Sequence, residues 1–113
     1  MTPIAVSLGD PAGIGPEITG KTWSERYDHK LKPFFAVGDP GSVRAVWEGP
    51  VEKIGSPDEA EAVFDRALPL LPVESGETVT PGVPTPEGAR CALDSLELAV
   101  GLARSDAVQA VVT

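Results

Sequence analysis

A glycine-containing segment near the amino terminus holds the residue types that could perform chemistry. It reads GDPAGIGPE over residues 9–17 and follows a short apolar run at residues 3–8. Glycines allow a ligand to approach the backbone, and the free amides at a helix start attract a phosphate or a carboxylate. Asp10 and Glu17 would repel an anion, so they suit hydrogen bonds to hydroxyl groups or support of a basic site. A tight turn that needs glycine only for its backbone is the simplest alternative.

A phosphate-loop pattern overlaps this segment. Residues 15–22 read GPEITGKT and satisfy the pattern GxxxxGK followed by Ser or Thr. In such a loop the first glycine follows its strand almost directly, and the backbone wraps a phosphate before the helix begins. Here the Pro-Glu pair after the first glycine is typical of a first helical turn, which would put Lys21 and Thr22 inside the helix. A nucleotide-binding protein that uses Asp39 as its magnesium-binding acid remains an alternative.

Alternating strands and helices are expected to position these residues. Apolar runs predict strands over residues 3–8, 34–37, 51–54, 68–73 and 107–113, and start signals predict helices over 16–26, 42–48, 56–68 and 85–103. Because Pro69 and Pro72 cannot donate backbone hydrogen bonds, the fourth strand is expected at an edge of the sheet. This order of elements predicts an α/β fold in which helices cover both faces of a parallel sheet.

The last predicted helix and the last predicted strand carry two further expectations. The helix has Thr85 as its cap, and its apolar residues at helical spacing predict the buried face. These residues are Ala89, Ala92, Leu93, Leu96, Val100 and Ala103, with Leu98 and Leu102 widening the face. The strand at residues 107–113 is expected to be buried, and a chain that ends on such a strand is expected to be part of a larger domain.

Composition narrows the classes of function. The chain of 113 residues has a formal charge of -8, which disfavours nucleic acid and anionic membranes as partners. Its single cysteine, Cys91, excludes an internal disulfide, and the sequence contains neither a membrane-spanning apolar run nor an export signal. These features predict a soluble cytoplasmic protein. Cys91, Trp23 and Trp47 are expected to be packing residues, and His29 a solvated loop residue.

Residues 9–18, GDPAGIGPEI, resemble the amino-terminal signature of the 4-hydroxythreonine-4-phosphate dehydrogenase family of vitamin B6 biosynthesis. Further similarities are Gly38-Asp39 at a strand end, Pro81-Gly82 before the long helix, and Val111-Val112-Thr113, which is similar to the start of a strand-end motif. The resemblance implies a two-domain α/β enzyme with a fold like the isocitrate and isopropylmalate dehydrogenases. Residues 1–113 would then form an incomplete first domain, and the rest of that domain and the second domain would be absent.

The resemblance also implies a function for the full-length protein. Family members are homodimers that use NAD or NADP and a divalent metal (Zn, Mg or Co) to oxidise a small phosphorylated hydroxy acid, 4-phosphohydroxy-L-threonine, with loss of carbon dioxide. The cofactor cleft would be bordered by Gly9, Asp10, Gly13, Gly15, Glu17 and Thr113. His29 matches none of the three metal-binding histidines of the family, so no catalytic or metal-binding residue is expected here. A relative acting on threonate phosphate or on a cyclic dihydroxy dicarboxylate, and an inactive fragment, remain alternatives.

Overall fold

A parallel sheet forms the centre of the structure, a computed structural model that describes residues 2–113. Its strands are β1 (Ile4–Ser7), β2 (Phe34–Gly38), β3 (Val51–Lys53), β4 (Leu68–Pro72) and β5 (Ala110–Val112). The helices are α1 (Gly15–Ser24), α2 (Pro40–Val46), α3 (Ala60–Phe64) and α4 (Pro86–Arg104), and a 3-10 turn at Pro57–Glu59 precedes α3. The strand order is β3-β4-β2-β1-β5, with every pairing parallel. The predicted α/β class is therefore confirmed.

Two apolar layers cover the two faces of the sheet. Successive side chains of a strand point to opposite faces, so the fully buried strand β2 contributes to both layers. Phe35 and Val37 belong to the layer that contains residues of α3 and α4. Phe34 and Ala36 belong to the layer that contains Trp23 of α1 and residues of α2. Strand β2 is therefore the strand that the sequence predicts most directly, because it is continuously apolar and fully buried.

The prediction that β4 lies at an edge is wrong, because β4 pairs with β2 on one side and β3 on the other. The amide of Leu68 donates to a carbonyl next to β3, and the amide of Val73 donates to β2. Alternation of amides along a strand then directs the nitrogen of Pro69 towards β2 and that of Pro72 towards β3. Pairing with β2 starts only after Pro69, and pairing with β3 ends before Pro72. Neither proline therefore removes a hydrogen bond from the ladder.

The long helix α4 begins as predicted but buries only part of the predicted face, with Leu102 and Ala103 packed against the core. The hydroxyl of Thr85 accepts a hydrogen bond from the amide of Gly88 at 3.0 Å, which caps the helix. The residues buried against the sheet are small: Gly88, Cys91, Ser95 and Ala99. Leu93 and Val100, which the apolar pattern places in the core, are 49% and 39% exposed. The helix lies close to the sheet, so the core accepts the stripe of small residues beside the apolar one.

Strand β5 and the helix after residue 56 also differ from prediction. β5 is shorter than expected and lies at the edge of the described sheet, where Val112 is 52% exposed. The single helix predicted over residues 56–68 is wrong in length. The structure has a 3-10 turn followed by the short helix α3, which ends at Phe64, four residues before β4 begins. Among residues 2–113, no helix combines the length and the apolar character that crossing a bilayer requires.

Candidate functional site

The strand order reverses at β1. The chain leaves β1 for β2 on one side and later reaches β5 on the other side, and helices α1 and α4 lie on opposite faces. Open α/β sheets bind ligands outside the carboxyl ends of their strands at such a reversal. Two segments meet this position, residues 9–15 after β1, called the glycine loop below, and Thr113 after β5.

The glycine loop is held by its own aspartate. Gly9 has a φ of +74°, a conformation that glycine adopts without strain, and it turns the chain away from β1. The Oδ1 atom of Asp10 accepts the amide of Ala12 at 2.8 Å, and the backbone carbonyl of Asp10 accepts the amide of Gly13 at 2.9 Å. One oxygen of the Asp10 carboxylate is thus used inside the loop, where it holds the turn.

Helix α1 starts in direct contact with the end of β1. A Cβ atom added to Gly15 would lie 2.1 Å from the backbone oxygen of Leu8, so only glycine fits at this position. The capping residue is Ile14, whose side chain cannot accept a hydrogen bond and is 72% exposed. Glu17 is an exposed acid in the first turn of the helix. The amides of this turn therefore have no side-chain cap, which leaves them to water or a ligand.

A second segment supports the glycine loop from outside, through contacts that no local pattern of residues indicates. The amide of Gly82 donates to the carbonyl of Ala12 at 2.8 Å. Gly88, in the first turn of α4, lies against Asp10, because a Cβ atom added there would be 3.3 Å from Asp10 Oδ1. Thr85, the cap of α4, also donates to Glu77. The loop before α4 therefore fixes the position of the glycine loop.

Thr113 and Ser7 mark the other side of the site. Val6 pairs with Val112, so Thr113 is next to Ser7 in the register, at the end of β1 from which the glycine loop departs. Ser7 is 6% exposed, and its hydroxyl has no hydrogen-bond partner within residues 2–113. Buried polar groups usually have a partner, so this hydroxyl is a free donor and acceptor beside the glycine loop.

The phosphate-loop interpretation is wrong for this chain. Lys21 and Thr22 lie inside α1, and the Thr22 hydroxyl donates to the carbonyl of Ile18 at 2.8 Å. No wrapped loop precedes the helix, since α1 begins at the first glycine of the pattern. Asp39, the proposed magnesium-binding acid, instead accepts the amide of Gly41 at 2.8 Å as the cap of α2.

Cys91 and the two tryptophans are packing residues, as predicted. Cys91 is buried in α4, and its thiol donates to the carbonyl of Val73 at 3.2 Å. Burial raises the pKa of this thiol, which suppresses the thiolate and any nucleophilic role. Trp23 and Trp47 contact each other edge to face, with ring centroids 5.7 Å apart. Neither ring therefore serves as a free stacking surface.

His29 is an exposed surface residue, as predicted. Its Nε2 atom lies 3.2 Å from Oε1 of Glu25, and the side chain is 63% exposed. Within residues 2–113, no group of three or more His, Cys, Asp or Glu side chains is arranged to hold a metal ion. The described residues therefore do not fit a catalytic metal on their own.

Comparisons with known proteins identify relatives along the whole chain. No protein-family model matches. The chain is 48% identical over 113 residues to a 4-hydroxythreonine-4-phosphate dehydrogenase of Zymomonas mobilis, covering 100% of this chain and 34% of the relative. The crystal structure of a 4-hydroxythreonine-4-phosphate dehydrogenase from Klebsiella pneumoniae matches with a TM-score of 0.83 and 25% identity, covering 98% of this chain and 36% of the other.

A third match has a different activity in its name. The crystal structure of a terephthalate 1,2-cis-dihydrodiol dehydrogenase from Burkholderia xenovorans has a TM-score of 0.72 and 25% identity, with 97% of this chain and 32% of the other covered.

The chain thus spans about a third of the length of the relatives it matches. In sequence and fold it corresponds to the amino-terminal third of the 4-hydroxythreonine-4-phosphate dehydrogenases.

Proposed function

We propose that the full-length protein is a metal-requiring, NAD(P)-dependent dehydrogenase that oxidises 4-phosphohydroxy-L-threonine, and that this chain is the incomplete first domain of it. The observation that carries the proposal is the GDPAGIGPEI segment at the carboxyl end of β1, within a chain similar to such dehydrogenases along its whole length. The isolated chain is expected to be inactive, because the catalytic and metal-binding groups would lie outside it.

In this proposal the cofactor cleft is bordered by Gly9, Asp10, Gly13, Gly15, Glu17 and Thr113. The uncapped first turn of α1 and the unpaired hydroxyl of Ser7 supply polar groups at this place. The role of this chain in the proposal is to bind and orient the cofactor. Asp10 holds the shape of the glycine loop, and Gly15, which has no side chain, lets α1 begin in contact with the end of β1. NAD(P), if bound here, would supply the acceptor for the hydride of the substrate alcohol. The residues that would hold the metal are proposed to lie outside this chain.

A full-length gene product tests the proposal. The purified protein is expected to reduce NAD or NADP with 4-phosphohydroxy-L-threonine, and removal of divalent metal by a chelator is expected to abolish the reaction. Glu17→Gln is expected to change KM for the cofactor, and Glu61→Gln, an exposed acid of α3, is the control that should not. Absence of cofactor reduction with intact, metal-loaded protein would refute the proposed reaction.

A cyclic dihydrodiol dicarboxylate is the second candidate substrate. The match to the terephthalate 1,2-cis-dihydrodiol dehydrogenase favours it. That structure and the Klebsiella structure are each 25% identical in sequence to this chain. The same assay separates the two substrates, because each is offered to the same enzyme preparation at equal concentration. The larger kcat/KM identifies the substrate.

A further inference from the structure

The segment between β4 and α4, residues 74–84, runs past the carboxyl ends of three strands and is called the strap below. It leaves β4, contacts Asp39 after β2, and reaches Ala12 after β1. Within the strap no side chain is buried. Gly76 and Gly82 have φ values of +80° and +82°, which glycine adopts without strain. Apolar packing therefore contributes little to the position of the strap, and hydrogen bonds must supply it.

Two backbone amides attach the two halves of the strap to the strand ends. The amide of Ser75 donates to Oδ2 of Asp39 at 3.3 Å, which fixes the first half at the end of β2. The amide of Gly82 donates to the carbonyl of Ala12 at 2.8 Å, which joins the second half to the glycine loop. Because the amide of Ala12 donates to the carboxylate of Asp10, a shift of the strap reaches the turn that Asp10 holds.

Glu77, in the middle of the strap, makes the bond that joins the strap to α4. The hydroxyl of Thr85 donates to Oε1 of Glu77, and the same hydroxyl oxygen accepts the amide of Gly88 at 3.0 Å. A hydroxyl has a single proton, so the carboxylate directs that proton to the strap and leaves the oxygen lone pairs for the helix amide. A charged acceptor makes such a bond stronger than a neutral one, and the pair is half-buried, which reduces its screening by water and salt.

The start of α4 contacts the glycine loop as well as the strap. A Cβ atom added to Gly88 would lie 3.2 Å from the hydroxyl oxygen of Thr85 and 3.3 Å from Oδ1 of Asp10. This carboxylate oxygen is the one that holds the turn of the glycine loop. Glu77 therefore reaches the glycine loop by two routes, through Thr85 and the start of α4, and along the strap through Gly82.

We propose that Glu77 is a positioning residue for cofactor binding, which acts through the glycine loop and not by contact with the cofactor. The identity of the ligand rests on the proposed function. Without the Glu77 carboxylate the strap is held by single hydrogen bonds at the surface, so the strap and the glycine loop open more often. Cofactor affinity then falls, because only the closed fraction of the protein binds, while the chemical step is unaffected.

Hydrogen exchange of the full-length protein without cofactor measures this opening. Glu77→Ala is expected to speed exchange at least about fivefold in peptides that span residues 9–17 and 76–85. Glu77→Gln keeps an oxygen that accepts the Thr85 hydroxyl, so its exchange should stay within about twofold of the wild type. Glu74→Ala is the matched control, because it removes the same charge from the same strap. The Glu74 side chain is 70% exposed and lies 3.7 Å from Lys53, so its loss should leave exchange unchanged.

Cofactor kinetics of the same proteins give the second readout. In Glu77→Ala the KM for NAD or NADP should rise at least about fivefold, and kcat should change by less than about twofold. Thr85→Val removes the same bond from its other side and should reproduce both effects, whereas Thr85→Ser should reproduce neither.

Unchanged exchange over residues 9–17 in Glu77→Ala overturns the proposal, and so does an unchanged KM in an active enzyme. An equal effect of Glu74→Ala also overturns it, because the effect would then come from charge alone. A full-length protein that exchanges faster in Glu77→Ala but reduces no cofactor refutes the proposed function and leaves the positioning of the glycine loop by Glu77 in place.

Discussion

Substitution of Gly15 by alanine tests the contact that joins α1 to β1. The added Cβ atom would lie 2.1 Å from the oxygen of Leu8 and 3.1 Å from its carbonyl carbon. An ordinary carbon-to-oxygen contact is about 3.3 Å, so the atoms must separate by about 1.2 Å. The opposing atom belongs to the backbone of the chain leaving β1, so no side-chain rotation relieves the clash. The helix and the strand end must move apart.

The cost should lie at the upper end of the range for overpacking, about 3 kcal/mol of unfolding free energy. For a chain of this length, 1 kcal/mol corresponds to about 4 °C, so the melting temperature should fall by about 12 °C. The preference of helices for alanine gives little compensation, because Gly15 is the first helical residue and not an interior one.

Thermal and urea unfolding, followed by circular dichroism, measure this change. Gly101→Ala is the matched control, since no atom lies within 4 Å of a Cβ atom added to that interior residue of α4. The control is expected to raise the unfolding free energy by up to about 1 kcal/mol. If the Gly15 variant unfolds at the wild-type midpoint, or shifts in the same direction as the control, the deduced contact between helix and strand is wrong.

Substitutions at three further positions address single interactions. Thr85→Ala removes the cap of α4 and should lower the unfolding free energy by about 1 kcal/mol in urea titrations, and Thr85→Ser should retain most of it. Trp23→Phe loses the buried hydrogen bond from Nε1 to the carbonyl of Phe64 and should cost about 1–3 kcal/mol by the same measurement. Because burial raises the pKa of Cys91, the unfolded chain loses the thiol proton at lower pH than the native chain does. Stability should therefore fall as pH rises above about 8.5, and a Cys91→Ala chain with the same slope would exclude this cause.

Local sequence determined the type and order of the elements. The apolar strand β2, the Pro-started helices and the cap at Thr85 follow from patterns that span only a few residues. The same local patterns predict the glycine loop between β1 and α1, and they correctly predict that Lys21 lies within a helical turn. The candidate site could be found from the sequence because its loop is one continuous segment.

Tertiary structure decided what depends on neighbours distant in the chain. Periodicity identified an apolar stripe on α4, but the close approach of the helix to the sheet selected the small residues beside it, so that Leu93 stays exposed. Pro69 and Pro72 indicated an edge strand, and only the staggered pairing of β2 and β3 shows how an interior strand accommodates them. The hydrogen bond from Gly82 to the glycine loop could not be predicted from the sequence either, because a contact between segments far apart in the chain leaves no local pattern.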